Sequence, residues 1–246
     1  MIKGYFDESI SCGGSVFTVA GFVAEEAEWD LLVCEWAERL KQDGLTYFHA
    51  TDCAGGWNDF SALSQEQRIA LDTDLIASIT SKRLAGFAVS VAHKDFDELV
   101  KGSEVAKAVL TESPYFIAMQ LVVRWVCDEI KKSFPNEAAV DFMFEENNVV
   151  SGQAKQIYEE LKKKNPELSA FIGSLTYGSK KENFPLQVAD ELAFEAAKNV
   201  RNWIHGTRYR MPIQLMIEAK ILSLSYLDRK GMEDFIARQT PLLKTP

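Results

Sequence analysis

The chain contains no long apolar run. Nothing in its 246 residues approaches the roughly 18 to 20 apolar residues of a membrane span. The opening, Met1-Ile2-Lys3-Gly4-Tyr5-Phe6, lacks the organisation of a secretion signal and leads directly into a strand-like run. A cytoplasmic protein with no membrane partner is therefore expected. Cysteine is scarce and scattered. Cys12, Cys34, Cys53 and Cys127 form no CxxC pair. Neither a thiolate zinc site nor a disulfide framework is indicated, and buried or partly buried free thiols are expected. Glycine never clusters into a phosphate loop of the P-loop or dinucleotide type, and no GxSxG elbow occurs. Positive charge is in deficit, with a net charge of −9 and an isoelectric point near 5.0. That balance argues against sequence-blind coating of DNA, which relies on many Lys and Arg contacts to phosphate.

What is present is an ordinary globular composition. Hydrophobic residues make up 47% of the chain, enough for one large core or two small ones. No internal repeat or low-complexity linker divides it, so one domain over 1–246 is expected. Two strands open the chain, Lys3 to Asp7 and Val16 to Val23, with a Gly-containing turn between them. The second strand is almost continuously apolar, as in a strand covered on both faces. Helices follow from about Glu26 to Lys41 and from Ser64 to about Thr80, where Ser64 and Gln67 fit a capping box. A third strand covers Leu84 to Ala92, and Ser113-Pro114 opens a long apolar helix that ends before Pro135. Val140 to Glu145 is a fourth strand, Ser151 to Lys164 a polar helix, and Leu168 to Tyr177 contains a fifth strand. A helix with Pro185 in its first turn comes next, and the tail at 211–238 reads as a helical extension.

With the segment at about 24–81 set aside as a helical insertion between strands two and three, the order is β-β-β-α-β-α-β-α. That is the order of a ribonuclease H-like α/β fold, a mixed five-stranded sheet with a hairpin, a third strand and two helical crossovers. It predicts that strands one and four lie side by side with the Pro185 helix across them. Asp190 lies on an apolar stripe of that helix with Leu186, Ala193 and Ala197, where a lone ionised carboxylate is costly. Asp7 near the end of strand one and Glu145 near the end of strand four would meet it at one edge. Three close carboxylates repel one another unless protonated or bound to cations. Oxygen-only ligands favour Mg²⁺ or Mn²⁺. Each acid also has a plainer reading. Asp7-Glu8-Ser9 can enter a polar turn, Glu145-Glu146-Asn147-Asn148 can be a solvated strand end, and Asp190 can pair with a buried Lys or Arg. Glu8 belongs on the opposite strand face from Asp7, and Glu191, on the helix face of Glu195 and Lys198, shows a solvent pattern. His49, after Tyr47-Phe48, is a candidate general acid or base or substrate contact.

The motifs Tyr5-Phe6-Asp7-Glu8-Ser9, Phe48-His49-Ala50 and Pro185-Leu186-Gln187-Val188-Ala189-Asp190 resemble those of the bacterial and phage proteins grouped as domain-of-unknown-function family 3800. The resemblance spans roughly Met1 to Asn199 and implies a ribonuclease H-like, metal-dependent nuclease. Asp7 and Asp190 match the family motifs directly, and so do Glu8 and Ser9. Glu145, or else Glu146, stands where the family often has Asp, and Ile10 replaces the Gly that follows its Asp-Glu-Ser. The expectation is a Mg²⁺- or Mn²⁺-dependent phosphodiester hydrolase on a nucleic acid or nucleotide. Asp7, Glu145 and Asp190 would hold metal, Glu8 and His49 would assist, and Lys180, Lys181 and Ser9 would contact substrate. Two alternatives remain. One is an inactive protein-binding module of the same fold, in which Asp7 or Asp190 pairs with a buried basic residue. The other is a hydrolase of nucleotides or small phosphate esters.

Overall fold

The computed structural model describes residues 1–11, 13–133, 139–146 and 151–240, with the backbone alone at 151. Cys12, Pro135 and Asn147–Asn148, on which parts of the reading above rest, lie outside these. Strands β1 (Ile2–Ile10) and β2 (Val16–Glu25) form an antiparallel hairpin in which Asp7 pairs with Ala20. β3 (Ala85–Ala92) continues antiparallel to β2. β4 (Val140–Glu145) lies parallel to β1, and β5 (Ile172–Gly178) parallel to β4. A sixth strand, β6 (Leu222–Leu227), runs parallel to β3, so the sheet order is β5-β4-β1-β2-β3-β6.

The sixth strand corrects the expectation of five strands and a wholly helical tail. The 211–238 segment holds α10 (Met211–Glu218), β6 and α11 (Arg229–Gln239). Its Leu222-Ser223-Leu224-Ser225-Tyr226-Leu227 run alternates with the two-residue period of a strand. That period suits a place beside β3, where both faces are partly covered.

Helices cover the sheet on both sides. In chain order these are α1 (Glu26–Gln42), α2 (Ala50–Gly55), α3 (Gln65–Thr80), α4 (His93–Gly102), α5 (Glu104–Leu110), α6 (Pro114–Ser133), α7 (Ser151–Lys164), α8 (Pro166–Ser169) and α9 (Phe184–Ile204). A 3-10 turn at Asn58–Ala62 joins α2 to α3. α3 begins at the expected capping box: Ser64 Oγ accepts the Gln67 N–H, and Gln67 Oε1 accepts the Ser64 N–H.

β2 divides its side chains between two cores. Phe17, Val19 and Val23 join Phe6, Phe142, Phe144 and the apolar face of α6. Ala20, Phe22 and Ala24 join Trp29, Leu32 and Trp36 of α1, Leu71 and Leu75 of α3, and Val188 and Leu192 of α9. The segment inserted between β2 and β3 therefore shares one core with α9. Cys53 and Cys127 are buried free thiols as expected, whereas Cys34 is exposed on the outer side of α1.

β1 and β2 approach closely at Gly21. A Cβ built there runs into the Tyr5 carbonyl oxygen and lies 2.6 Å from the Phe6 ring. Backbone cannot yield as a flexible side chain can. Gly21→Ala is expected to cost about 3 kcal/mol, at the upper end of overpacking penalties, measured as a lowered urea midpoint at unchanged slope.

Candidate functional site

The β1–β4 register places two of the expected acids level with each other. Phe6 pairs with Phe144, so Asp7 and Glu145, each one residue further on, point to the same face of parallel strands. That face carries α9. Asp190 comes from the second turn of α9 and is 6% exposed, and Asp7 is 2% exposed. α9 packs closely here because Ala189, Ala193 and Ala197 are small and buried.

The group that joins the two aspartates is Lys180, from the loop between β5 and α9. Its Nζ donates to Asp7 Oδ2 at 2.6 Å and to Asp190 Oδ1 at 2.8 Å. Lys180, expected among the substrate contacts, is thus the buried basic partner that the alternative reading required. Its side chain is only 15% exposed. Burial alone would lower its pKa, but the charges of Asp190 and Asp7 outweigh burial and raise it. Burial pushes the Asp7 carboxyl well above the ordinary range. Lys180 pulls it back, and the Asp190 and Glu8 charges push it further up.

The remaining polar atoms of the two carboxylates are also held. Asp190 Oδ2 accepts the Ala50 N–H at 2.7 Å, and Asp7 Oδ1 accepts the Glu8 N–H at 2.7 Å. Gln187, fully buried three residues before Asp190, ties the surroundings together. Its Oε1 accepts from Trp36 Nε1 at 3.0 Å and from the Phe48 N–H at 2.9 Å, while its Nε2 donates to the Lys180 carbonyl at 2.8 Å.

Glu145 reaches the same loop by a different contact. Its Oε2 accepts the Lys180 backbone N–H at 2.8 Å. Burial raises its pKa, and the Lys180 charge and N–H partly oppose this. His49 sits at the rim, with Nε2 3.9 Å from Asp190 Oδ1 and Nδ1 3.0 Å from Asp52 Oδ2. Lys181 is exposed beside the site, with Nζ 5.7 Å from the Tyr47 ring centroid. Ser9 lies two residues beyond Asp7 on the same strand face, level with Thr18. Glu146 is exposed past the end of β4. Glu8 takes the opposite face, toward α6, where burial and the Glu8 charge push the Tyr115 phenol up.

Asp7, Asp190, Glu145, His49 and Lys180 are therefore brought together, and Glu8 is placed across the sheet from them. Among the described residues no group of three or more His, Cys, Asp or Glu is arranged to hold a metal ion. Two carboxylate oxygens converge on one cation, and that cation is an ammonium. Lys180 Nζ occupies the place between Asp7 and Asp190, and Glu145 as placed serves the loop backbone.

A second polar cluster lies on the other side of α9 and overturns the solvent assignment of Glu191. Glu191 is 1% exposed, and Glu195 is buried beside it. Both face α3 and the segment before α10. Arg210 grips Glu195 through two bonds, Nε to Oε2 at 2.8 Å and Nη2 to Oε1 at 2.6 Å. Burial, then the Asp72 and Glu195 charges, hold the Glu191 carboxyl well above its usual range. A polar stripe looks the same in sequence whether water or an oppositely charged neighbour covers it. A cavity of about 160 Å³ beside this cluster is lined by Ala50, Cys53, Arg68, Asp72 and Arg210 among others, and by neither Asp7 nor Asp190.

Asp52, Gln187 and Asn58 are the contributors that sequence reasoning missed. Gln187 shares the Asp190 stripe at i−3, which is a readable signal. Asp52 and Asn58 owe their place to a local turn around His49. A scan against models of protein families matches none, and a search of curated proteins finds no match.

Two outcomes are expected. Lys180→Met leaves two buried carboxylates without their counter-charge and should cost about 3–5 kcal/mol in urea unfolding. Asp72 is pushed up to about 6, by burial first and then by the Glu195 charge, with the Glu191 hydrogen bond and the Arg210 and Lys198 charges opposing. Its folded-state pKa exceeds the unfolded value, so the folded state binds the extra proton. Stability should fall as pH rises from about 4 to about 6, and Asp72→Asn should flatten that part of the profile.

Proposed function

We propose that this chain is a ribonuclease H-like phosphodiester hydrolase of the family 3800 type, with Asp7 and Asp190 as its cation-holding carboxylates. One observation carries the reading. Two carboxylates, buried at the carboxyl-terminal edge of the parallel β1–β4 pair, converge on a single positive charge. Glu145, which accepts the Lys180 N–H, brings a third carboxyl to the same loop. The carboxyl ends of parallel strands are also where open α/β sheets bind ligands.

Asp7 and Asp190 would hold Mg²⁺ or Mn²⁺ in the position of Nζ, and such an ion supplies an activated water and charge neutralisation at phosphorus. The chain's own residues position the rest. With an ion there, the Lys180 ammonium would be free to pair with a substrate phosphate beside Lys181. The Ala50 N–H and Gln187 keep Asp190 and the loop in place.

The ion pair of Lys180 with both aspartates also favours a second reading, a protein-binding module that never takes a divalent ion. Calorimetry with Mn²⁺ separates the two. The hydrolase reading expects binding by the wild type, tighter binding by Lys180→Met, recovery of that variant's urea midpoint by Mn²⁺, and loss of binding in Asp190→Asn. Cleavage of single-stranded, double-stranded or hybrid substrate should follow the same order, with Asp190→Asn inactive. No heat of binding in the wild type or Lys180→Met, together with no cleavage, would end the hydrolase reading and leave the binding module.

A further inference from the structure

His49 is oriented by a set of contacts that the carboxylate centre itself does not need. Its Nδ1 lies 3.0 Å from Asp52 Oδ2, and its Nε2 edge turns toward Asp190. The imidazole remains 32% exposed, so a molecule at the rim can reach it. Asp52 is buried at the start of α2, and its Oδ2 also accepts from Asn58 Nδ2 at 2.9 Å and from the Tyr47 hydroxyl at 3.5 Å. Asn58 makes its bond from a left-handed backbone, φ 50°, which is sparsely adopted by residues other than glycine. Asn is among the residues that enter that region most readily, and there its side-chain amide reaches Asp52. Burial opposes its charge, but the hydrogen bonds from His49 and Asn58 outweigh burial and keep its pKa below the ordinary range. An ionised carboxylate only accepts hydrogen bonds, so the shared proton resides on His49 Nδ1. A neutral imidazole protonated there leaves Nε2 as a bare acceptor.

We propose that Asp52 is a positioning residue that fixes a proton on His49 Nδ1, so that Nε2 is the ring atom facing the Asp7–Lys180–Asp190 centre, placed to accept a proton from a bound water or hydroxyl. The acceptor role rests on the hydrolytic reading above; the tautomer does not. In the hydrolytic step, Nε2 takes the proton of the attacking water while the water oxygen bonds to phosphorus. The P–O bond to the leaving group breaks, its electron pair stays on the leaving oxygen, and that oxygen is protonated from solvent. Asp52 stabilises the imidazolium until it returns its proton to water.

Nitrogen-15 spectra of the full chain, labelled at histidine, test the tautomer without any substrate. There are three histidines, and His49→Gln identifies the signal. The wild type is expected to show a protonated Nδ1 and a bare Nε2, with Asp52→Ala moving the proton to Nε2 and Asp52→Glu restoring the original pattern. A wild-type Nε2–H, or an unchanged tautomer in Asp52→Ala, would overturn the proposal, and the wild-type spectrum suffices if that variant does not fold. Where the wild type cleaves, Asp52→Ala should lower kcat about 10- to 100-fold at unchanged KM, with partial recovery in Asp52→Glu. Full kcat in Asp52→Ala would overturn the acceptor role. If the wild type cleaves nothing, the hydrolytic reading and the acceptor role fail together, and the spectrum still decides the tautomer.

Discussion

A single ammonium group, Lys180 Nζ, makes this arrangement of the sheet and α9 possible. Two carboxylates buried at 2% and 6% exposure would repel each other and resist desolvation if left alone. One positive charge shared between them offsets part of that cost, though burial still holds the Asp7 carboxyl above its ordinary range. It also sets a distance, because both aspartates must lie within hydrogen-bond reach of the same atom. The small side chains on the inner stripe of α9 let the helix come close enough for this. Replacing any of Ala189, Ala193 or Ala197 with a larger residue would move the helix away from β1 and lengthen contacts that have little slack.

α9 is unusual in carrying buried acids on two sides. Asp190 faces the sheet and is answered by Lys180, whereas Glu195 faces α3 and is answered by Arg210. Each partner arrives from a segment just outside the helix, one before its N-terminus and one after its C-terminus. The two ion pairs therefore grip α9 on different sides within five residues of one another, with buried apolar residues on either side of them. The site belongs to the same framework as the core, and a change of cation at Asp7 and Asp190 would be felt by the loop, by α9 and by the segment of His49 together.

Much of this was readable in the residues. Periodicity located the strands β1 to β5 and the main helices, and an acid on an apolar stripe singled out Asp190. The order of elements brought Asp7 and Glu145 to the same edge. What sequence did not disclose was how each charge is answered. Lys180 reads as one of several basic loop residues, and only the fold shows that its side chain turns inward to residues 173 and 10 positions away. Glu191 and Glu195 present the spacing of a solvated face, and burial against α3 and Arg210 is a tertiary fact that spacing does not encode. β6 was legible in the alternation of Leu222 to Tyr226, but its position in a tail of helical character concealed it. Asp52 and Asn58 depend on left-handed backbone at Gly56 and Asn58, residue types that permit such a turn without saying which side chain it will bring to His49.

The separation between Asp7 and its counter-charge has a temporal consequence. At 5 to 20 residues per second, a ribosome needs roughly 10 to 35 s to add the 173 positions from Asp7 to Lys180. Throughout that interval the β1–β2 hairpin can form, but its aspartate has no lysine to meet and must stay hydrated. The first strand of the sheet is therefore made early and closed over late. Pairing of its carboxylate with Lys180 cannot come before the loop ahead of α9 has left the ribosome.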